Sequence, residues 1–180
     1  MPRINIVDEA NTDLRTKAVL AKVRSRGGED WNVLKALAHN PAALEGHLAL
    51  SGALRKSGLS DEEQEVIAFE VAHHNGCHYC VPAHVHVARS IGMASEVVDS
   101  LSAGELCEAD GEVAILQELV RAILATKGKL GDADFGRFQD AGFDDARMVA
   151  ILAVIGIYTW FNYFNRLAGT ELDDFLQPLV

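Results

Sequence analysis

Five of the seven histidines and two of the three cysteines of this 180-residue chain fall within the string AHHNGCHYCVPAHVHV, residues 72–87. Packing alone gives no reason for such crowding. A cysteine becomes a nucleophile when it loses its proton, and an imidazole one helical turn away can accept or share that proton. Cys77 and Cys80 form one C-x-x-C, and His84 follows four residues on. On a helix beginning near Cys77, residues 77, 80 and 84 are related by steps of three and four, so both thiols and the imidazole share one face. The chemistry implied is thiol redox. A thiolate attacking a peroxide becomes a sulfenic acid, the second thiol condenses with it to a disulfide, and an external dithiol restores the pair. A carboxylate that orients the imidazole or a bound water would complete a proton relay, and Glu65 and Glu70 are the two candidates.

The elements that must hold these groups read as helices throughout. Apolar residues recur at three and four, and no alternating β-branched run suggests a half-buried strand. Asn40 before Pro41 is a cap and a first-turn proline for a helix running toward Gly58. Ser60 with Glu63 is a capping-box pattern for SDEEQEVIAFEVAHHN, and Gly76 interrupts that helix. The next begins near the two cysteines, tolerates Pro82 in its first turn and stops at Gly92. Further helices are predicted over 13–24, 30–38, 95–103, 110–127, 132–141 and 144–167, separated by turns such as KGKLGD and AGFDD. Without a repeat, linker or low-complexity tract, residues 1–180 read as one all-α domain with the redox motif at 65–84.

Composition narrows the function. A 49% hydrophobic, 23% charged chain with four prolines folds around a sizeable core. Sixteen Lys plus Arg against 26 Asp plus Glu give a formal net charge of −10, which repels phosphate backbones and anionic lipid, so neither nucleic acid nor a membrane is expected as a partner. The first residues lack the apolar core of a secretory signal, and the expected location is cytoplasmic. The longest apolar run, Met148 to Phe161, is shorter than the ~20 residues that span a bilayer and reads as a buried core or interface helix. Three cysteines do not make a disulfide framework, and Cys107 reads as a spectator.

The stretch LSDEEQEVIAFEVAHHNGCHYCVPAHVHVARSIG resembles the core motif of the carboxymuconolactone decarboxylase superfamily, in its alkylhydroperoxidase D-like branch: a glutamate, eleven residues, then C-x-x-C-x-x-x-H. The family glutamate falls on Glu65, the cysteines on Cys77 and Cys80, and the histidine on His84. The resemblance implies an all-helical fold, peroxidase activity through the cysteine pair without a bound cofactor, and homo-oligomers, trimers or hexamers, in which helices of neighbouring subunits pack together. It also implies the roles: Cys80 attacks the hydroperoxide, Cys77 resolves the sulfenic acid, His84 moves the proton and Glu65 holds the relay. The tail TWFNYFNRLAGTELDD resembles that of the peroxidase-related proteins of the superfamily. One position departs, since the best-known pattern has a histidine immediately before the second cysteine, where this chain has Tyr79, with a histidine at 78.

Rival readings follow from the same residues. A protein or lipoyl disulfide oxidoreductase keeps the thiols and changes the substrate. His73, Cys77, Cys80 and His84 form a nominal zinc set, but one helical stripe encloses an ion poorly, so no metal is expected. A non-catalytic metal-binding or oligomerisation module, its His/Cys cluster structural, is a further rival, and lactone decarboxylation is disfavoured because the decarboxylases lack the cysteine pair. His73, His74, His78 and His86 are left without a role. The aromatics Tyr158, Trp160, Phe161, Tyr163 and Phe164 could line a hydroperoxide pocket, but a core or subunit interface is favoured, and Asn162 and Asn165 among them need hydrogen-bond partners if buried.

Overall fold

The computed structural model describes residues 1–25 and 30–179. Among these residues there are helices and no strand. In chain order they are α1 (Leu14–Ser25), α2 (Asn32–Leu37), α3 (Pro41–Leu54), α4 (Asp61–Asn75), α5 (Cys80–Ser90), α6 (Ser95–Ala103), α7 (Gly111–Thr126), α8 (Asp132–Asp140), α9 (Asp145–Ala168) and a final 3-10 helix, Asp174–Leu179.

The helix starts obey local hydrogen-bonding chemistry. The Asn40 side chain accepts from the Ala43 amide and caps α3. Ser60 and Glu63 bond each other's backbone amides in a complete capping box at α4. Asp110 and Asp144 cap α7 and α9 in the same way, each accepting amides that a helix N-terminus leaves without partners. Helix α3 stops at Leu54, before Gly58, because Arg55 is already the cap and a turn intervenes.

Helix α4 is the centre of the molecule. Every residue from Gln64 to Ala72 is buried, which requires neighbours on all sides. α9, α7, α5 and α6 supply them. Val66, Ile67 and Phe69 join Leu101, Leu119, Val120, Ile151 and Val154 in the main core. A smaller cluster of Val33, Ala72, Cys77, Tyr79, Cys80 and Leu176 lies beneath the C-terminal segment.

One expectation changes. The C-x-x-C does not lie wholly on a helix. Gly76 takes a left-handed conformation at φ 59°, the Cys77 amide bonds back to the Ala72 carbonyl at 3.0 Å, and α5 begins only at Cys80. Cys77 therefore sits in the turn and Cys80 at the helix N-terminus. The C-terminal helix, predicted over 144–167, runs Asp145–Ala168 and extends beyond its uninterrupted apolar run through Asn162 and Arg166. At 24 residues α9 is long and apolar enough to cross a membrane by length and composition, yet here it packs along α4 and α3.

Candidate active site

Cys77 and Cys80 are joined in a disulfide, and both are almost fully buried, at 2% and 3% exposure. Their surroundings differ. Cys80 lines a cavity of about 180 Å³, whereas Cys77 faces the cluster under the C-terminal segment. The Cys80 sulfur receives the Asn162 Nδ2 group at 3.1 Å and the Asn165 Nδ2 group at 3.5 Å. Both asparagines are completely buried, and Asn162 in turn accepts from Asn75 at 3.1 Å. Two amide donors and the start of α5 thus converge on one sulfur, an arrangement that favours a thiolate over a thiol.

His84 lies one turn along α5 and lines the same cavity. Its Nδ1 donates to Glu65 Oε2 at 2.8 Å, with both side chains largely buried. In a neutral imidazole that bond leaves Nε2 as the basic nitrogen. The His84 ring meets Tyr158 edge-on at 5.1 Å. Burial, and then the charge of Glu65, push the Tyr158 hydroxyl well above its usual range, so it stays protonated.

The choice between the two glutamates is made by the direction each faces. Glu70 points to α7, where Arg121 donates to it through Nε at 2.6 Å and Nη2 at 2.9 Å, and Gln117 donates at 2.6 Å. It is a structural anion. Glu65 alone reaches the imidazole.

The other histidines find separate partners. His73 Nε2 donates to the Leu101 carbonyl at 2.8 Å and His78 Nε2 to the Thr170 carbonyl at 3.0 Å. His86 packs against Trp31 and Phe175, and His74 is exposed. With His73 turned away and the cysteines bonded to each other, the nominal zinc set is not assembled; no group of three His, Cys, Asp or Glu among the described residues could hold a metal ion. Cys107 is buried and free, its amide bonded to Gln117. Tyr79, where the family pattern has histidine, donates to Asp173 at 2.5 Å, and Asp173 also accepts the first amide of α2. The TELDD tail is thereby tied to the cysteine turn.

The aromatic cluster divides by helix face. Tyr158 and Phe161 line the cavity with Asn165, while Trp160 and Tyr163 are exposed. It was expected to belong mainly to core or interface; steps of three and four along α9 put part of it in the site instead. The remaining wall was not legible: Trp31, Val33 and Leu34 from the start of α2, and His47, Ser51 and Leu54 from α3. His47 could have been noticed as a lone imidazole within the apolar run LEGHLAL.

A helical bundle with a buried C-x-x-C at a helix start, a His–Glu pair beside it and a cavity on one sulfur is an arrangement capable of thiol redox chemistry. Residues 41–122 match the Carboxymuconolactone decarboxylase family, and the chain has the fold of alkylhydroperoxidase D-like proteins. A peroxidase-related protein from Silicibacter sp. TM1040 has TM-score 0.82 at 22% identity, covering 97% of this chain and 94% of that one. The alkylhydroperoxidase AhpD core of a peroxidase-related protein from Ralstonia eutropha JMP134 gives 0.85 at 22% identity over the same shares, 97% and 94%. A Cys→Ala variant of the debrominase Bmp8 in complex with 2,3,4-tribromopyrrole gives 0.79 at 13% identity, covering 98% and 94%. No protein of curated function matches the sequence. At these identities the likeness is one of fold.

Proposed function

We propose that the protein is a thiol peroxidase that reduces hydrogen peroxide or a small organic hydroperoxide through Cys80 and Cys77. The observation that carries this reading is that the one disulfide sulfur facing the cavity, that of Cys80, also has two amide donors and the Glu65–His84 pair beside it. In the reduced protein the Cys80 thiolate attacks one peroxide oxygen and the O–O bond breaks. The departing alkoxide takes a proton from the His84 imidazolium, whose charge Glu65 stabilises, and leaves as an alcohol. Cys80 is then a sulfenic acid. The Cys77 thiol condenses with it, releasing water and forming the disulfide, and an external dithiol or protein reductant returns both thiols.

The cavity supports an organic substrate. An apolar cavity of ~150 Å³ holds a benzene molecule, and here about 180 Å³ lies among Leu34, Leu54, Ala83, Val87, Val154 and Ile157. Exposed Val149, Leu152, Trp160, Tyr163 and Leu167, at helical spacing along α9, support a homo-oligomer built on that face. A reducing, cytoplasmic compartment suits a disulfide that must be recycled.

Stoichiometric hydroperoxide added to the reduced protein is expected to convert Cys77 and Cys80 from dithiol to intramolecular disulfide, read by mass spectrometry. Turnover with a dithiol reductant should vanish in Cys80→Ser. Undiminished turnover in that variant rejects the assignment of the attacking thiol, and unchanged activity in both single cysteine variants rejects the mechanism.

The fold likeness to a debrominase, together with a cavity the size of one substituted ring, favours a second reading, reductive dehalogenation. The carbon–halogen bond would break, the carbon would take a proton, halide would leave and the two thiols would become the disulfide. Halide release from a brominated heteroaromatic by the reduced protein, without added peroxide, separates this from the first reading.

A further inference from the structure

The cavity has a polar group that the redox chemistry does not use. His47, Ser51 and Leu54, at steps of four and three, form the wall that α3 contributes. The His47 ring lies nearly parallel to Phe161, with centroids 4.3 Å apart and planes at 8°, and beside Trp160 at 5.8 Å. Its Nδ1 is buried without a hydrogen-bond partner. A buried nitrogen of this kind costs free energy unless something pairs with it. Burial also lowers its pKa to about 4, so the imidazole is neutral at working pH and offers one donor and one acceptor. Leu34, Leu54, Val154 and Ile157 make much of the remaining lining apolar.

We propose that His47 is a specificity-determining residue, which hydrogen-bonds a polar group of a single-ring organic substrate other than the group that reacts at Cys80. The class it selects is a monocyclic compound carrying a neutral hydroxyl or ring N–H. A charged group is disfavoured, because a neutral imidazole in an apolar wall cannot offset its desolvation. A ring without such a group fills the same space and leaves the imidazole without that bond. The inference rests on the reading of Cys80 as the reacting thiol, but its test needs no turnover.

The experiment is equilibrium binding of 4-isopropylphenol and isopropylbenzene to the full-length oxidised protein, by calorimetry or by tryptophan fluorescence. Trp31 lines the cavity and Trp160 adjoins His47, so both report on it. One neutral hydrogen bond predicts about a tenfold preference for the phenol in the unaltered protein. In His47→Phe the preference falls below about twofold, and His47→Gln, which keeps a donor and an acceptor, retains most of it. Should His47→Phe not fold, His47→Leu gives the same comparison. A tenfold preference that survives in the Phe or Leu variant overturns the proposal, as does failure of the unaltered protein to bind either compound. Absence of peroxide turnover, with the binding preference intact, would instead count against the peroxidase reading.

Discussion

Glu65 and Glu70 lie five residues apart on one helix, and the same substitution should have opposite consequences at the two positions. In Glu70→Gln one of the two carboxylate oxygens becomes an amide donor. It then faces Arg121 Nε or, if flipped, the Gln117 amide and Arg121 Nη2, a donor against a donor in either orientation. Hydrogen bonds to charged groups contribute about 1.5–3 kcal/mol each, and leaving a buried group unsatisfied adds to the loss. The Arg121 side chain is 37% exposed and recovers part of its hydration, so the net cost is about 2–3 kcal/mol. For a chain of this size that lowers the melting temperature by about 5–10 °C. Turnover per folded molecule should hold, because Glu70 touches nothing in the cavity. In Glu65→Gln the amide oxygen can still accept from His84 Nδ1, so stability changes by less than about 1 kcal/mol. The charge that stabilises the imidazolium is lost, and hydroperoxide turnover should fall by about 100-fold. Urea or thermal unfolding of the reduced proteins, paired with initial rates using a dithiol reductant, gives both readouts. Glu65→Gln at full rate, or Glu70→Gln equally slow without loss of stability, would refute the division of roles.

Other outcomes follow from the same contacts. Asn162→Leu removes the closer donor from the Cys80 sulfur, and the reduced thiol's pKa should rise by about one unit; alkylation rate against pH measures this, and an unmoved profile would show that the amide does not stabilise the thiolate. Because burial lowers the His47 pKa to about 4 from 6.5, the unfolded chain binds the proton more readily than the folded one. Stability from this residue is therefore complete above pH ~6.5 and lost as pH falls toward 4, by up to about 3 kcal/mol. Denaturant unfolding between pH 4 and 7 should show that slope diminished in His47→Gln, and identical slopes would count against it. Tyr79→Phe removes the bond to Asp173 and should cost about 1–2 kcal/mol by the same assay, with Asp173 still held by the Asn32 amide. Leu152→Glu on the exposed face of α9 should lower the mass measured by light scattering; an unchanged mass places any subunit contact elsewhere.

Helix boundaries were the most legible part of the fold. Ser60 with Glu63, Asn40 with Pro41, Asp110 and Asp144 each satisfy helix N-terminal amides within three residues of themselves, so their effect is complete in a short string of sequence. The cysteine pair and His84 were legible for a similar reason, being one turn apart. The exact start of α5 was not, because the left-handed turn at Gly76 takes Cys77 out of helical register. The short final helix over Asp174–Leu179 gave no periodic pattern to read.

Sequence alone thus determined the all-helical class, most helix starts and the residues capable of thiol chemistry, since capping and periodicity act over three or four residues. Tertiary structure decided which of those residues meet. Glu65 pairs with His84 across 19 residues, Glu70 is claimed by Arg121 across 51, and the asparagines reach Cys80 across 82 and 85. Contacts at such separations depend on how α4, α5, α7 and α9 pack, and packing is set by the summed burial of many side chains rather than by any one motif. The cavity is the extreme case: α2, α3, α5 and α9 each give one face to it, and no single segment carries its shape.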